Sequence, residues 1–429
     1  MSLQHARIDD LQTALATAPD LNSSSVKAVV EEILRRFPTE TVHPDKIPAD
    51  LTRVFSLSDA QKEAIQKQVM ENLFGGQENT EGKPIMAFFG GPIASGKSTH
   101  IKMTNRVMAE VMQEYDRLSN GSNSMGRYAS AMSQIKRKYN KYGIDVTVRG
   151  VEEFKRTLQA FIDRDVLRTM HPYFDILSSC YPDCIARLTD DALKMRYNIL
   201  EYAMRSGKFV STEQTYGNDD VLSIIEKAKS NQMPDGTPKK PHELHLVVVA
   251  TPKCVAVTRS ISRYLKEIDE YAANPKGNLP ARYESFKNIS DRHDNIRGVT
   301  NKIHDMMSGN DVFVLFDMIH NPIAVFSATS KERVGDRFQH VVDSEIPAQE
   351  LYFNQALAAE NLERAKMLCP DNVDCIQAAT WASENLNKQV KQFEIQPQTT
   401  KQKIEQARVG AVEEAKKFAE SLIPRLGGR

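Results

Sequence analysis

The sequence predicts an α/β chain: a parallel sheet with helices on both faces, extended by helical regions at either end. Three observations predict it. A short apolar run, Ile85 to Phe89, ends in a glycine turn and gives way to a helical pattern. The stretch His245 to Ala250 (HLVVVA) is mostly aliphatic, with three valines in succession, and suits a buried strand. Elsewhere strand-like runs alternate with helical ones, as parallel strands joined by crossover helices require.

Taken in order, residues 1–54 form a polar, helix-forming N-terminal region punctuated by Pro38, Pro44 and Pro48. From Ser58 a capping box is expected, with Gln61 at its third helical position and Ala60, Ile65, Val69 and Leu73 at helical spacing. Gly75-Gly76 should end that helix. Residues 84–89 read as a strand and His100 to about Glu114 as the following helix. Residues 115–158 read as an insertion of helices and turns, and its basic patch, Lys136, Arg137, Lys138 and Lys141, as a solvated helix face. Ala160–Ile162 suggests a short strand, Ala192–Arg205 a helix closed by Gly207, and Phe209–Thr212 another strand. Val312–Phe316 and Asn321–Phe326 read as a strand pair at the sheet's edge. The core is thus expected over 55–345. Residues 346–429 form a helical C-terminal region with Trp381 in its interior and an Ala/Glu/Lys-rich final helix from Thr400 to Leu422.

Composition narrows the classes. The chain has 429 residues, and its 56 Lys+Arg balance 56 Asp+Glu, so nucleic acid is not an expected partner. Five cysteines, Cys180, Cys184, Cys254, Cys369 and Cys375, show no C-x-x-C pair, which argues against a disulfide framework or zinc site and for a reducing compartment. No signal peptide or membrane-length apolar run is present. The expected location is cytoplasmic, or a target cell reached by a signal-independent secretion route.

The central motif is Gly91-Pro92-Ile93-Ala94-Ser95-Gly96-Lys97-Ser98-Thr99. It has the P-loop spacing G-x-x-x-x-G-K-S and follows a strand, so its backbone N–H groups are expected to wrap a nucleoside triphosphate. Lys97 would reach the β- and γ-phosphates and Ser98 would supply a hydroxyl to Mg²⁺. A hydrolysing P-loop protein usually carries a strand ending in an acid that holds the metal. HLVVVA instead runs into Thr251-Pro252-Lys253, and Asp317, the other candidate, is explained more simply by the edge strand pair.

A kinase needs a base and positive charge around the moving phosphate. Asp163 and Asp165, in Phe161-Ile162-Asp163-Arg164-Asp165, fall just past a strand, where the sheet's carboxyl edge forms a ligand crevice; either could equally cap a helix. Arg259 and Arg263 lie four apart on one helix face, and Arg282 follows the Gly/Pro-bearing segment 274–280. These arginines suit a closing lid, although spacing alone describes ordinary surface arginines as well.

The chain resembles the zeta-toxin kinases, P-loop proteins of bacterial toxin–antitoxin systems and related effectors. The resemblance runs from about Phe55 to Thr329 through FSLSDAQKEAI, KPIMAFFGGPIASGKST, IDRDVLRTMHPYFDIL, SGKFVSTEQT, HLVVVATPK, Ser262-Arg263-Tyr264 and Arg282. It implies a parallel α/β kinase core that moves the γ-phosphate of ATP, or GTP, with Mg²⁺, to a sugar hydroxyl of UDP-N-acetylglucosamine. It implies Asp165 as general base with Asp163 in support, Arg263 and Arg282 as phosphate clamps, and Glu213 and Thr215 at the acceptor. An antitoxin or chaperone protein is the implied partner, and His171-Pro172 would shape the loop after the base.

The departures concentrate on the acceptor side. A gap-free alignment puts Tyr197 where the family has a substrate-binding glutamate, with Glu201 one turn later. Gln214 replaces a glycine, and Tyr216-Gly217-Asn218 replaces a basic residue. The acceptor therefore stays open between a UDP-N-acetylglucosamine-like sugar and a ribose hydroxyl of NAD or another nucleotide. An ATP-binding interaction protein without transfer activity is the reading of a different class. A polynucleotide 5′-hydroxyl kinase is disfavoured by the neutral charge balance and the lack of an aromatic-basic groove signal. No membrane partner is expected.

Overall fold

The computed structural model describes residues 57–77, 83–121, 133–143, 148–171, 182–273 and 283–394. Residues 1–54, the final helix expected over Thr400–Leu422, the segment 274–280 and Arg282 lie outside the described residues.

The elements follow as α1 (Asp59–Phe74), β1 (Ile85–Gly90), α2 (Lys97–Gly121), a helical stretch over 133–139, α3 (Val148–Gln159), β2 (Phe161–Ile162), α4 (Arg164–Thr169) and α5 (Pro182–Arg205). Then come β3 (Val210–Glu213), α6 (Asp220–Lys229), β4 (Glu243–Val249), α7 (Lys253–Ala273), α8 (Phe286–Met306), β5 (Val312–Phe316), β6 (Pro322–Phe326), α9 (Val334–Ser344), α10 (Ala348–Leu368) and α11 (Val373–Glu394).

The six strands are ordered β2-β3-β1-β4-β5-β6. The first five run parallel and β6 returns antiparallel against β5 at the edge, as expected. Because strand side chains alternate, each strand feeds two interiors. Met86 and Phe88, Leu244 and Leu246, and Phe313 and Leu315 enter the core shared with α1, α5, α6, α8 and α9. Ala87 and Phe89, Val247 and Val249, and Val314 and Phe316 enter the core shared with α2 and α3. A strand buried on both faces reads as a continuous apolar run, which is why HLVVVA stood out.

The α1 cap forms as read: Ser58 Oγ accepts from Gln61 N at 3.2 Å while Ser58 N donates to Gln61 Oε1 at 2.9 Å. The helix ends at Phe74 with Gly75 as its cap. Two expectations change. The helix after the glycine turn starts at Lys97, not His100, and continues to Gly121. Within the stretch read as an insertion, α3 is a core element: Val151, Phe154 and Leu158 are buried against β1 and β3. Its apolar spacing of three and four is helical, but the surrounding glycines hid its place in the sheet's cover.

Helices α7, α10 and α11 pack together around two further clusters. Trp381 is partly buried in both, its ring centroid 5.0 Å from that of Phe286. Arg259 on α7 pairs with Glu350 on α10 at 3.1 Å, joining this unit to the sheet domain. Among the described residues no helix is long and apolar enough to cross a membrane.

Candidate active site

The strand register assembles the site. Phe89 of β1 lies opposite Glu213 of β3, and Ile162 of β2 lies opposite Thr212. The residues that leave these strands, Gly91, Gln214 and Asp163, therefore emerge side by side at the carboxyl edge of the sheet.

The glycine turn has the backbone its composition calls for. Gly91 (φ 147°) and Gly96 (φ 87°) take conformations that side chains rarely adopt, and Ala94 also sits at positive φ. A Cβ on Gly91 would lie 2.7 Å from Ser95 Oγ and 3.0 Å from the Val249 carbonyl. The amide of His100 bonds to Gly96 O at 2.9 Å, so α2 begins directly at the turn. Its N-terminal dipole thus faces the turn. Ser95 is fully buried and its hydroxyl has no partner among the described residues.

Lys97 folds back into this cradle. Its Nζ donates to Pro92 O at 2.8 Å and to Gly91 O at 3.4 Å and stands 3.6 Å from Glu213 Oε1. Burial lowers the ammonium's pKa; the Glu213 carboxylate opposes that shift, while the charges of Arg263 and Arg164 add to it. Those three side chains and Lys97 therefore share one electrostatic neighbourhood.

Arg196 of α5 completes it. Its Nε donates to Thr212 Oγ1 at 3.1 Å and its Nη2 to Glu213 O at 3.0 Å, from a buried position. Burial pulls the guanidinium down to about 10, with Arg164 again contributing and Glu213 opposing. Arg164 and Arg263 thus act on Lys97, Arg164 also on Arg196, and the Glu213 carboxylate opposes both shifts. The surplus positive charge in a partly desolvated crevice favours a bound polyanion.

The other expected residues fall as follows. Asp163 immediately precedes α4, and its carbonyl accepts from Leu167 N at 3.2 Å. Asp165 is in the first turn of α4; its side chain is outside the described set. Arg263 is half exposed, 3.7 Å from Glu267. Arg259 pairs with Glu350 of the C-terminal helices and also acts on His320 beside the glycine turn. Ser98 and Thr99 are exposed in the first turn of α2. Thr215 is half-buried, and Tyr197 is 37% exposed, its ring centroid 5.8 Å from the Arg196 guanidinium. His171 is buried 3.6 Å from Asp191. Asp317 accepts from the amides of Ile319 and Asn321 at 3.0 and 2.7 Å, a turn role that leaves the metal reading without support.

Three residues escaped the sequence reading. Arg164 was hidden between two more conspicuous acids, and Arg196 has no local signal because its partners lie 16 and 17 residues on. His320, in the turn between β5 and β6, lies so close to the glycine turn that a Cβ on Gly96 would be 3.1 Å from its Cε1. It also faces His100, ring centroids 5.5 Å apart.

Tyr216 turns out to be structural. Held at φ 50° and buried, it donates from Oη to Phe88 O at 3.1 Å, and its ring fills the space a side chain on Gly90 would need. The basic residue of the sequence comparison is thus replaced by a wedge behind the glycine turn.

Residues 147–332 match the family model described as zeta toxin. Over that stretch the chain is similar to the zeta toxin family. The match takes in α3 to β6, and so the acids, the acceptor strand and the arginines; the glycine turn precedes it and is established by its own geometry. The zeta toxin domain is a kinase domain, a phosphotransferase. No curated protein matches the chain. Among solved structures, the PezAT chromosomal toxin–antitoxin system of Streptococcus pneumoniae is 14% identical with a TM-score of 0.45, covering 74% of this chain and 99% of that one. AvrRxo1-ORF1:-ORF2 with ATP is 12% identical with a TM-score of 0.38, covering 77% and 87%. Neither likeness is close enough to carry a residue role across.

Proposed function

We propose that the protein is an ATP-dependent kinase that transfers the γ-phosphate to a hydroxyl of a nucleotide-linked small molecule of the UDP-N-acetylglucosamine type and acts as a toxin or effector. The observation that carries this reading is the buried Lys97 ammonium, lodged in the glycine turn beside Glu213 with Arg164, Arg196 and Arg263 around it. A charge arrangement of this kind is costly in an interior unless a ligand uses it.

In the proposed reaction Lys97 leaves the Pro92 and Gly91 carbonyls for the β- and γ-phosphate oxygens. Backbone amides of residues 91–99 hold the remaining phosphate oxygens, and the buried Ser95 hydroxyl finds its partner there. The acceptor oxygen forms its bond to the γ-phosphorus as the bond to the bridging β–γ oxygen breaks, and ADP leaves. The hydroxyl proton passes to Asp165, with Asp163 in support. Arg263 and Arg282 offset charge on the transferring group, and Glu213, Thr215 and Tyr197 orient the acceptor. Bound magnesium would offset charge on the phosphates. One protein oxygen suffices, since Mg²⁺ is commonly bound through substrate phosphates and one or two protein oxygens. The exposed Ser98 hydroxyl is that oxygen.

The test incubates the protein with γ-labelled ATP and a metabolite extract, wild type against Lys97→Ala. The expected result is a labelled small molecule in the wild type and a loss of about 10²-fold or more in the variant, the size expected for one preorganised electrostatic contact. Slow ATP hydrolysis with no labelled acceptor would refute the kinase and favour the interaction protein.

A further inference from the structure

The turn joining α10 to α11 brings two thiols into contact. Cys369 caps the end of α10 in a non-helical conformation (φ −138°, ψ 57°), half-buried, and Cys375 lies fully buried in the first turns of α11. Their sulfurs are 3.9 Å apart, and the Cys369 thiol also lies 3.2 Å from the Ala365 carbonyl. Asn372 fixes the turn: its N–H donates to Cys369 O at 3.0 Å, while its Oδ1 accepts from Cys375 N at 3.0 Å.

We propose that Cys369 and Cys375 are a reversible oxidation site, a dithiol that closes to an intramolecular disulfide under peroxide. Bond formation needs the sulfurs to approach to about 2.05 Å, and Cys369, outside the regular helix, has the freedom to swing inward. The half-buried thiol is the attacking group. With Cys375 holding the shared proton, Cys369 ionises more readily than an ordinary thiol, whereas the neighbouring sulfur and then burial push Cys375 up. The Cys369 thiolate attacks a peroxide oxygen, the O–O bond breaks, and a sulfenic acid forms with release of one water after protonation. The Cys375 sulfur then displaces hydroxide from that sulfenic acid, and the second water forms. The two thiols together lose two electrons and two protons, and one hydrogen peroxide becomes two waters.

The site lies where a change of turn geometry reaches the catalytic side. Asp374, next to Cys375, accepts from Tyr283 Oη at 2.8 Å and from Phe286 N at 3.0 Å, at the start of α8. Tyr283 packs edge-on against Tyr264, centroids 5.1 Å apart, and Tyr264 follows Arg263 on α7. This inference goes beyond the kinase reading, and its chemistry holds whether or not that reading does.

The test treats the full chain with hydrogen peroxide, alkylates what remains reduced after denaturation, and maps peptides by mass. Expected is a Cys369–Cys375 linkage, two hydrogens lighter, that escapes alkylation and returns to two alkylated thiols after dithiothreitol. Cys254, buried with its thiol pushed up to about 11, should stay reduced. The single tryptophan, Trp381, sits in the same cluster as Cys375, and its emission should change on oxidation. In Cys369→Ser, which leaves the buried sulfur in place, both signals should vanish. Recovery of Cys369 and Cys375 as separately alkylated thiols, over-oxidation of Cys369 alone, or a disulfide to any other cysteine would overturn the proposal.

Discussion

The two halves of the crevice are built differently. On the nucleotide side a local device does everything: nine consecutive residues, two glycines at positive φ and a buried lysine whose partners lie five and six residues away. On the acceptor side nothing is local. Arg196 on α5 holds the end of β3, and Glu213 faces a lysine from another strand's turn, while Tyr197 stands open to solvent. On the proposed function, the difference teaches that phosphate binding would be written into one stretch of chain, whereas acceptor choice would depend on how α5, β2 and β3 are set against one another.

Four changes break or sharpen that contrast, in descending order of effect. Asp165→Asn should lower phosphoryl transfer by about 10²–10⁴-fold, the range of general base catalysis, with ATP affinity retained in a calorimetric titration. Equal loss of both would mean that the acid belongs to the nucleotide side. Gly90→Ala drives a Cβ to within 1.8 Å of the Tyr216 ring. It should cost about 3 kcal/mol by overpacking, read as a fall in Tm, and Tyr216→Ala in the same chain should recover part of it. Arg196→Met leaves Thr212 Oγ1 and the Glu213 carbonyl without their donor, a loss of about 1–3 kcal/mol. It should appear as a raised KM for the acceptor with an unchanged KM for ATP.

The effect that is smallest at neutral pH, and grows as the pH falls, is acid sensitivity of the folded state. Burial holds His100 near about 3 and His242 and His245 near about 4. Below about 6.5 the unfolded chain binds protons that these rings refuse in the folded state. Stability is therefore undiminished above that pH and falls between about 6.5 and 4, by up to about 1.4 kcal/mol per pH unit for each ring. Denaturant midpoints at pH 7, 6 and 5 check this. His245→Asn, which cannot charge, should flatten the slope. His100 and His245 both lie on the sheet face covered by α2 and α3, so the nucleotide side should loosen first.

How much of this was legible follows the same division. The Ser58 capping box, the glycine turn, the doubly buried β4 and the antiparallel edge strand were readable because each depends on neighbours a few residues away. The two-residue β2 was legible in Ala160–Ile162, whereas the place of α3 in the sheet's cover was not, because burial against β1 and β3 leaves no mark beyond its own spacing. Arg164, Arg196 and His320 went unread for one reason: a cation's role is set by what faces it across the fold, and sequence spacing does not carry that. Arg259 shows the same limit, since its i,i+4 relation to Arg263 gives no hint of Glu350, 91 residues away.

The ion pair between Arg259 and Glu350 limits how the protein can be cut. A version ending near residue 346, where the parallel sheet is complete, would take Glu350 from that guanidinium and open the apolar sides of Val257, Ile261 and Leu265 to water. Apolar surface returned to water in this way costs about 25 cal/mol per Å². Shortened versions meant for crystallisation or for inhibitor screening therefore have to retain α10 and α11.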